Sequence, residues 1–213
     1  GVRDVLKDEF DKRATAVSYE VTDPTVDSQI INLRSTNADA VILGGTAKFV
    51  AQAIRSISDL GWKAMVFLAS GATSVAGVIE PVGRERAIGV MSSAYVKDPN
   101  DPAWANDPAI ADYAAFMRDY FPAGNAKDTY NSYAYTVAQV LMRVLEQCQG
   151  SFTRENIMRQ ATSLKNVEIP MLLPGVVVNT SPTNYHPIRQ MQLQKWDGQT
   201  WSRFGKIIEG AEV

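Results

Sequence analysis

The stretch ADAVILGGTAKFVAQAIRSISDLGWKAMVFLAS, Ala38 to Ser70, constrains the fold more than any other part of the chain. An apolar run, Ala40 to Leu43, stops at Gly44-Gly45-Thr46. Phe49, Val50, Ala53, Ile54 and Ile57 then recur at helical spacing, and Gly61 supplies the stop. A second apolar run, Ala64 to Leu68, ends at Ala69-Ser70. Two strands joined through a helix lie parallel, because a hairpin needs no such crossover. The stretch predicts a strand–helix–strand unit.

The same alternation extends outward. Val2, Leu6 and Phe10 predict an opening amphipathic helix, and Ala14 to Val21 a short strand. Thr25 is the expected cap of a helix that buries Val26, Ile30 and Leu33 and ends at Asn37. A short helix is expected near Thr73 to Ile79 and a strand over Ile88 to Val96. Strands this apolar read as a parallel sheet covered on both faces, so the fold class is α/β, a doubly wound parallel sheet. Beyond the turn-rich DPNDPAWANDP, helices are predicted to Tyr120, from about 130 to 148 and from 153 to 164. The second of these buries Tyr133, Val137, Val140, Leu141, Val144, Leu145 and Cys148; the last buries Ile157, Met158, Ala161 and Leu164. Gly175 to Asn179, Gln190 to Trp196 and Gln199 to Ile208 read as strands, with Asp197-Gly198 turning a hairpin.

Composition removes several functions. The chain has 213 residues and a formal net charge of −2, with no basic patch to suit nucleic acid. No apolar run approaches the ~20 residues that span a bilayer. One cysteine, Cys148, allows no intrachain disulfide and no zinc spacing, and reads as a small buried hydrophobe. The only histidine, His186, lies in a Pro-rich loop far from it in sequence, so the two are not paired as a catalytic couple. No cofactor motif is present: GGTAK lacks the P-loop pattern, and no Gly-x-Gly-x-x-Gly occurs. Asp98, Asp101 and Asp107 read as a solvated loop, their spacing being too irregular for calcium.

In open α/β sheets, ligands sit beyond the carboxyl ends of the strands. That draws attention to Gly45 and Thr46, to Ser70 and Gly71, and to Tyr95 at the exit of the third strand. Thr46 and Ser70 offer hydroxyls, and the next helix offers free N–H groups. GGT also reads simply as a turn.

The opening helix is not preceded by a strand, although a crossover begins with one. The helices near 130–148 and 153–164 likewise have no parallel strands beside them in sequence. The chain is therefore expected to be the C-terminal part of something longer. Its uncovered stripes predict self-association of the chain alone.

In order and spacing, several segments resemble the type I periplasmic binding proteins, in particular the branched-chain amino acid (leucine/isoleucine/valine) branch serving ABC importers. They are DPTVDSQIINLR (23–34), NADAVILGGT (37–46), AIRSISDLGWK (53–63), YAYTVAQVL (133–141) and PIRQMQLQKWDG (187–198). The resemblance spans nearly the whole chain. It implies two flavodoxin-like lobes, with 1–127 most of the second lobe less its first strand, 128–187 part of the first, and 188–213 a hairpin returning to the second. It implies a periplasmic or membrane-anchored extracytoplasmic protein that closes over a small carboxylate or amino acid and docks on ABC permease subunits. It gives Tyr130 a ligand-packing role, with Tyr133 and Tyr135 expected in the core. Amino-acid binders of the family carry an acid before a Gly-apolar-apolar strand; the matching position here is Ile88, which favours a ligand without an amino group. The same fold also serves as the sensing domain of receptors and regulators. An enzyme would need an acid or histidine at a strand end, where this sequence carries Gly, Thr, Ala and Ser.

Overall fold

A computed structural model describes residues 1–210. Its centre is a five-stranded sheet, β1 (Ala40–Leu43), β2 (Met65–Leu68), β3 (Met91–Ala94), β4 (Gln190–Trp196) and β5 (Trp201–Glu209), in that spatial order. The first three run parallel; β4 is antiparallel to β3, and β5 to β4. Asp197 turns the β4–β5 hairpin by accepting the backbone N–H groups of Gln199 and Thr200, both at 2.8 Å, while Gly198 takes the positive φ of 105°. Those N–H bonds, with the Ser202 hydroxyl, hold the Asp197 carboxyl below the usual range.

The helices before β1 are α1 (Val2–Leu6), α2 (Phe10–Arg13) and α3 (Asp27–Ser35). Helix α4 (Ala47–Asp59) is the crossover read from sequence, with Phe49, Val50, Ala53, Ile54 and Ile57 buried and Gly61 closing it at φ 60°. A π-helical turn, Val75–Ile79, runs into α5 (Glu80–Val82). Then come α6 (Pro108–Tyr120), α7 (Thr129–Gln147) and α8 (Arg154–Ala161).

Several expectations are corrected. The opening helix breaks at Lys7, whose φ is 47°, and buries no residue. The sheet's first strands are accordingly covered on one face only: Val41, Leu43, Val66 and Leu68 are buried, while Ile42 and Met65 are 59% and 57% exposed. Residues 14–20 form no strand. In a doubly wound sheet of order 2-1-3-4-5 such a segment pairs with the strand before the opening helix, and the described residues include none there. Val26, not Thr25, precedes α3. The third strand is shorter than Ile88 to Val96, and 175–179 contributes only a Val167–Val178 bridge.

Helix α7 reverses its expected orientation over its first half. Ser132 and Thr136 are buried, and Tyr133, Val137 and Leu141 face outward. Small side chains let the helix approach its neighbours closely, so the polar side faces in. Both hydroxyls are satisfied locally, on Thr129 O and Ser132 O. Further on, Val144 and Cys148 are buried as expected. In α8, Met158 points outward, whereas Leu164 beyond it is buried.

Candidate functional site

A cavity of about 420 Å³ opens beyond the carboxyl ends of β2 and β3, facing the first turn of α7. That volume lies in the range of small-ligand clefts. Its lining includes Ser70 and Gly71 after β2, Tyr95 and Asp98 after β3, and Tyr130 and Tyr133 from α7.

Each wall has a local cause. Ser92 is fully buried and donates its hydroxyl to Leu68 O at 2.9 Å, which ties the first half of β3 to the end of β2. Asp128 caps α7 by accepting the Tyr130 N–H at 3.1 Å, and also accepts the Ser74 hydroxyl at 3.1 Å. Ser74 in turn accepts the Gly77 N–H at 3.0 Å. The start of α7 is thus fixed to the segment after β2, and the Tyr130 hydroxyl donates to Gly71 O at 3.2 Å. Trp201 closes the cavity from β5, its indole N–H on Thr73 O at 2.9 Å.

The phenols of Tyr95 and Tyr130 stay neutral. Burial pushes Tyr95 up, with Tyr133 adding to it; burial and then Asp128 do the same to Tyr130.

The loop after β3 is not the solvated carboxylate loop read from sequence. Lys97 Nζ lies 2.7 Å from Asp107, and Arg203 lies 3.1 Å from Asp101, with all four side chains largely buried. The Trp104 ring takes both cations, Lys97 Nζ at 5.2 Å and Arg203 Cζ at 4.3 Å from its centroid. Burial would raise Asp107, but hydrogen bonding from Lys97 and from the Ala109 N–H outweighs it and lowers the carboxyl. The same carboxylate caps α6.

Four of the residues singled out in sequence, Ser70, Gly71, Tyr95 and Tyr130, line this one cavity. Gly45 and Thr46 do not. Tyr19 lies over them: it accepts the Thr46 N–H at 3.0 Å and would meet any side chain at Gly45, its hydroxyl being 2.9 Å from a Cβ there. The Tyr19 ring also packs on Phe49 at 4.5 Å. Tyr133, expected in the core, faces the cavity instead, while Tyr135 packs against Tyr113 and Phe116. Ile88 lies outside the cavity, 56% exposed and beside Gly198, at the opposite end of β3. The inference drawn from its lack of charge therefore has no structural basis. Asp98, Thr73 and Trp201 also line the cavity and were missed; nothing in their local sequence brings them together.

The family model for periplasmic binding proteins matches residues 4–200, so the chain belongs to the periplasmic binding protein family. Among solved structures, a leucine-binding protein from Thermotoga maritima is similar at 20% identity and a TM-score of 0.68, over 92% of this chain and 51% of its own. A branched-chain amino acid ABC transporter protein from Thermus thermophilus, crystallised with valine, is 15% identical, with a TM-score of 0.71 over 92% and 52%. An extracellular ligand-binding receptor from Rhodopseudomonas palustris is 19% identical, with a TM-score of 0.65 over 95% and 59%. At these identities the likeness shows the type I periplasmic binding protein fold, and the chain spans about half to three-fifths of their lengths. No curated protein sequence matches. Among the described residues, no helix is long and apolar enough to cross a membrane.

Proposed function

We propose that this chain supplies part of an extracytoplasmic solute-binding protein of an ABC importer, which closes two lobes over a small organic acid or amino acid. The observation that carries this is the cavity beyond β2 and β3, with Tyr130 and Tyr133 at 41% and 48% exposure still half open to solvent. Such rings gain from a ligand, or a second wall, that takes them out of water. Residues 1–127 belong to one lobe, 128–187 to the other, and 188–213 return to the first. Closure is a hinge movement whose population the ligand shifts. The role requires no chemistry on the ligand; the closed form is what permease subunits recognise. The outward row of Tyr133, Val137 and Leu141 favours self-association of the 213-residue chain alone, which light scattering checks.

The test is a thermal-shift screen of the protein at its full natural length against amino acids, aliphatic and aromatic acids, amides and nucleotides. A ligand at about 100 times its Kd adds roughly 2.7 kcal/mol of stability. A shift with acids or amino acids is expected. A shift with nucleotides alone would sink the proposal.

The similar extracellular ligand-binding receptor supports a second reading, a sensing domain of the same fold. Stimulation of a permease's ATPase by the liganded protein in vesicles separates the two: an importer component stimulates it and a sensor does not.

A further inference from the structure

Resting on the solute-binding reading above, we infer that Asp101, Trp104 and Arg203 form a sprung joint. It clasps two bodies of the molecule together at a cost, and so sets ligand affinity without touching the ligand. The bodies are visible in the core, whose buried apolar residues fall into two larger clusters. One holds β1, β2, α4 and the hairpin residues Trp196 and Trp201. The other holds Val144 of α7 with Leu164, Leu172 and Leu173, and Trp104 packs against it. Arg203, two residues after Trp201 on β5, reaches from the first to the second. Its guanidinium lies 3.1 Å from Asp101 and 4.3 Å from the centre of the Trp104 ring. None of the three lines the cavity.

The clasp leaves bonds unmade. Trp104 Nε1 and Arg203 Nε are both buried, and neither meets an acceptor among the described residues. A buried donor without an acceptor is destabilising, and native proteins hold few of them. Here two meet in one contact. The ion pair does not account for the arrangement, because a buried pair often stabilises no better than apolar side chains of the same size. A contact that served only as glue would be better built from such side chains.

What this contact provides is a second state close in free energy. When Arg203 withdraws, water reaches both donors. The same movement parts the cavity walls, since Gln194 and Trp201 come from the hairpin and Tyr130 and Tyr133 from α7. A ligand that touches both sides favours the clasped form, and its apparent affinity is lowered by the fraction of molecules that are unclasped.

The experiment is hydrogen exchange by mass spectrometry together with titration calorimetry, on the protein at its full natural length. The probes are L-leucine, L-valine and 4-methylpentanoate. Without a probe, amides at 101–104 and 202–204 should exchange about tenfold or more faster than those of β3, and binding should slow them. Trp104→Phe keeps a ring for the cations and removes one unpartnered donor; it should tighten binding about fivefold. Asp101→Asn combined with Arg203→Met removes both charges together, so neither is left buried alone; it should weaken binding about tenfold. If the double variant does not fold, Trp104→Phe carries the test by itself. A contact that served stability alone would melt lower in both variants and move affinity in neither beyond about twofold. That result, or amides at 202–204 as protected as those of β3, would overturn the joint and leave the solute-binding reading standing. A wild type whose joint exchanges as expected, but which binds no probe and nothing in the thermal-shift panel, would sink the solute-binding reading instead.

Discussion

The ends of β1 and β2 are built alike and do different things. Each is an apolar strand, buried on one face, that stops at small residues and leads into a helical turn, Gly44-Gly45-Thr46 in one case and Ala69-Ser70-Gly71 in the other. Tyr19 covers the first and takes its free N–H group. The second opens onto the cavity, because Tyr130 reaches only the far carbonyl of Gly71 and leaves the space above its Cα empty. A glycine-rich strand end is thus an invitation to close approach. Whether a ligand or the protein's own side chain accepts it is decided by what the rest of the chain lays across it.

The contrast breaks most strongly at the ion pair that buttresses only the open end. Asp107→Ala leaves Lys97 charged and largely buried, and removes the α6 cap. The expected loss is about 3–5 kcal/mol, read by chemical denaturation, with hydrogen exchange rising first around residues 96–108 and not around 44–47. Acid should act in the same direction. The folded Asp107 pKa is depressed, so its contribution is present above about pH 4 and is lost as the pH falls through the folded value. Protection that falls equally at the two strand ends throughout the acid titration would contradict this.

The glycines sharpen the comparison next. Gly71→Leu projects into open cavity and should weaken ligand binding by about 100-fold or more, roughly 2.7 kcal/mol, with little change in stability. Gly45→Leu strikes Tyr19 and should do the reverse, costing about 1–3 kcal/mol of stability by overpacking and leaving affinity within a few-fold. Calorimetry and melting of both variants decide it; a binding loss at Gly45 would mean that the covered end is a site after all.

The smallest effect comes from the two phenols. Tyr19→Phe and Tyr130→Phe each remove one hydroxyl contact, worth about 1 kcal/mol. The first should appear in stability alone, the second also in affinity. Identical behaviour of the pair would erase the distinction between the two ends.

These outcomes turn on what was and was not legible in the sequence. The crossover through α4 was plain, because its apolar positions fall on one helical face and Gly61 stops it; the hairpin at Asp197-Gly198 was equally plain. Both signals are local. The cover over Gly45 was not legible, since Tyr19 lies 27 positions upstream of Thr46 in a segment that reads as an ordinary strand. Nor could spacing tell which side of α7 is covered: Tyr133, Val137 and Leu141 make an apolar row, and only the packing shows that Ser132 and Thr136 turn inward. The DPNDPAWANDP loop read as solvated because the partner of Asp101, Arg203, lies 102 residues further on. Ser70, Gly71, Tyr95 and Tyr130 were named from strand ends and from resemblance. Their meeting at one cavity depends on the capping bond between Asp128 and Ser74, which joins residues 54 apart.

The hairpin carries a consequence for synthesis. Trp196 donates to Arg84 O across 112 residues, and Trp201 to Thr73 O across 128. During translation, β1 to β3 emerge well before β4, and the edge of β3 stays unpaired until residues 95–189 have been made. Contacts this distant in sequence slow folding, and an unpaired edge in the interval invites pairing with another nascent chain. Completion of the sheet, and with it the Trp201 side of the cavity, therefore waits on the β4–β5 hairpin, and premature termination before β4 would leave the cavity without that wall.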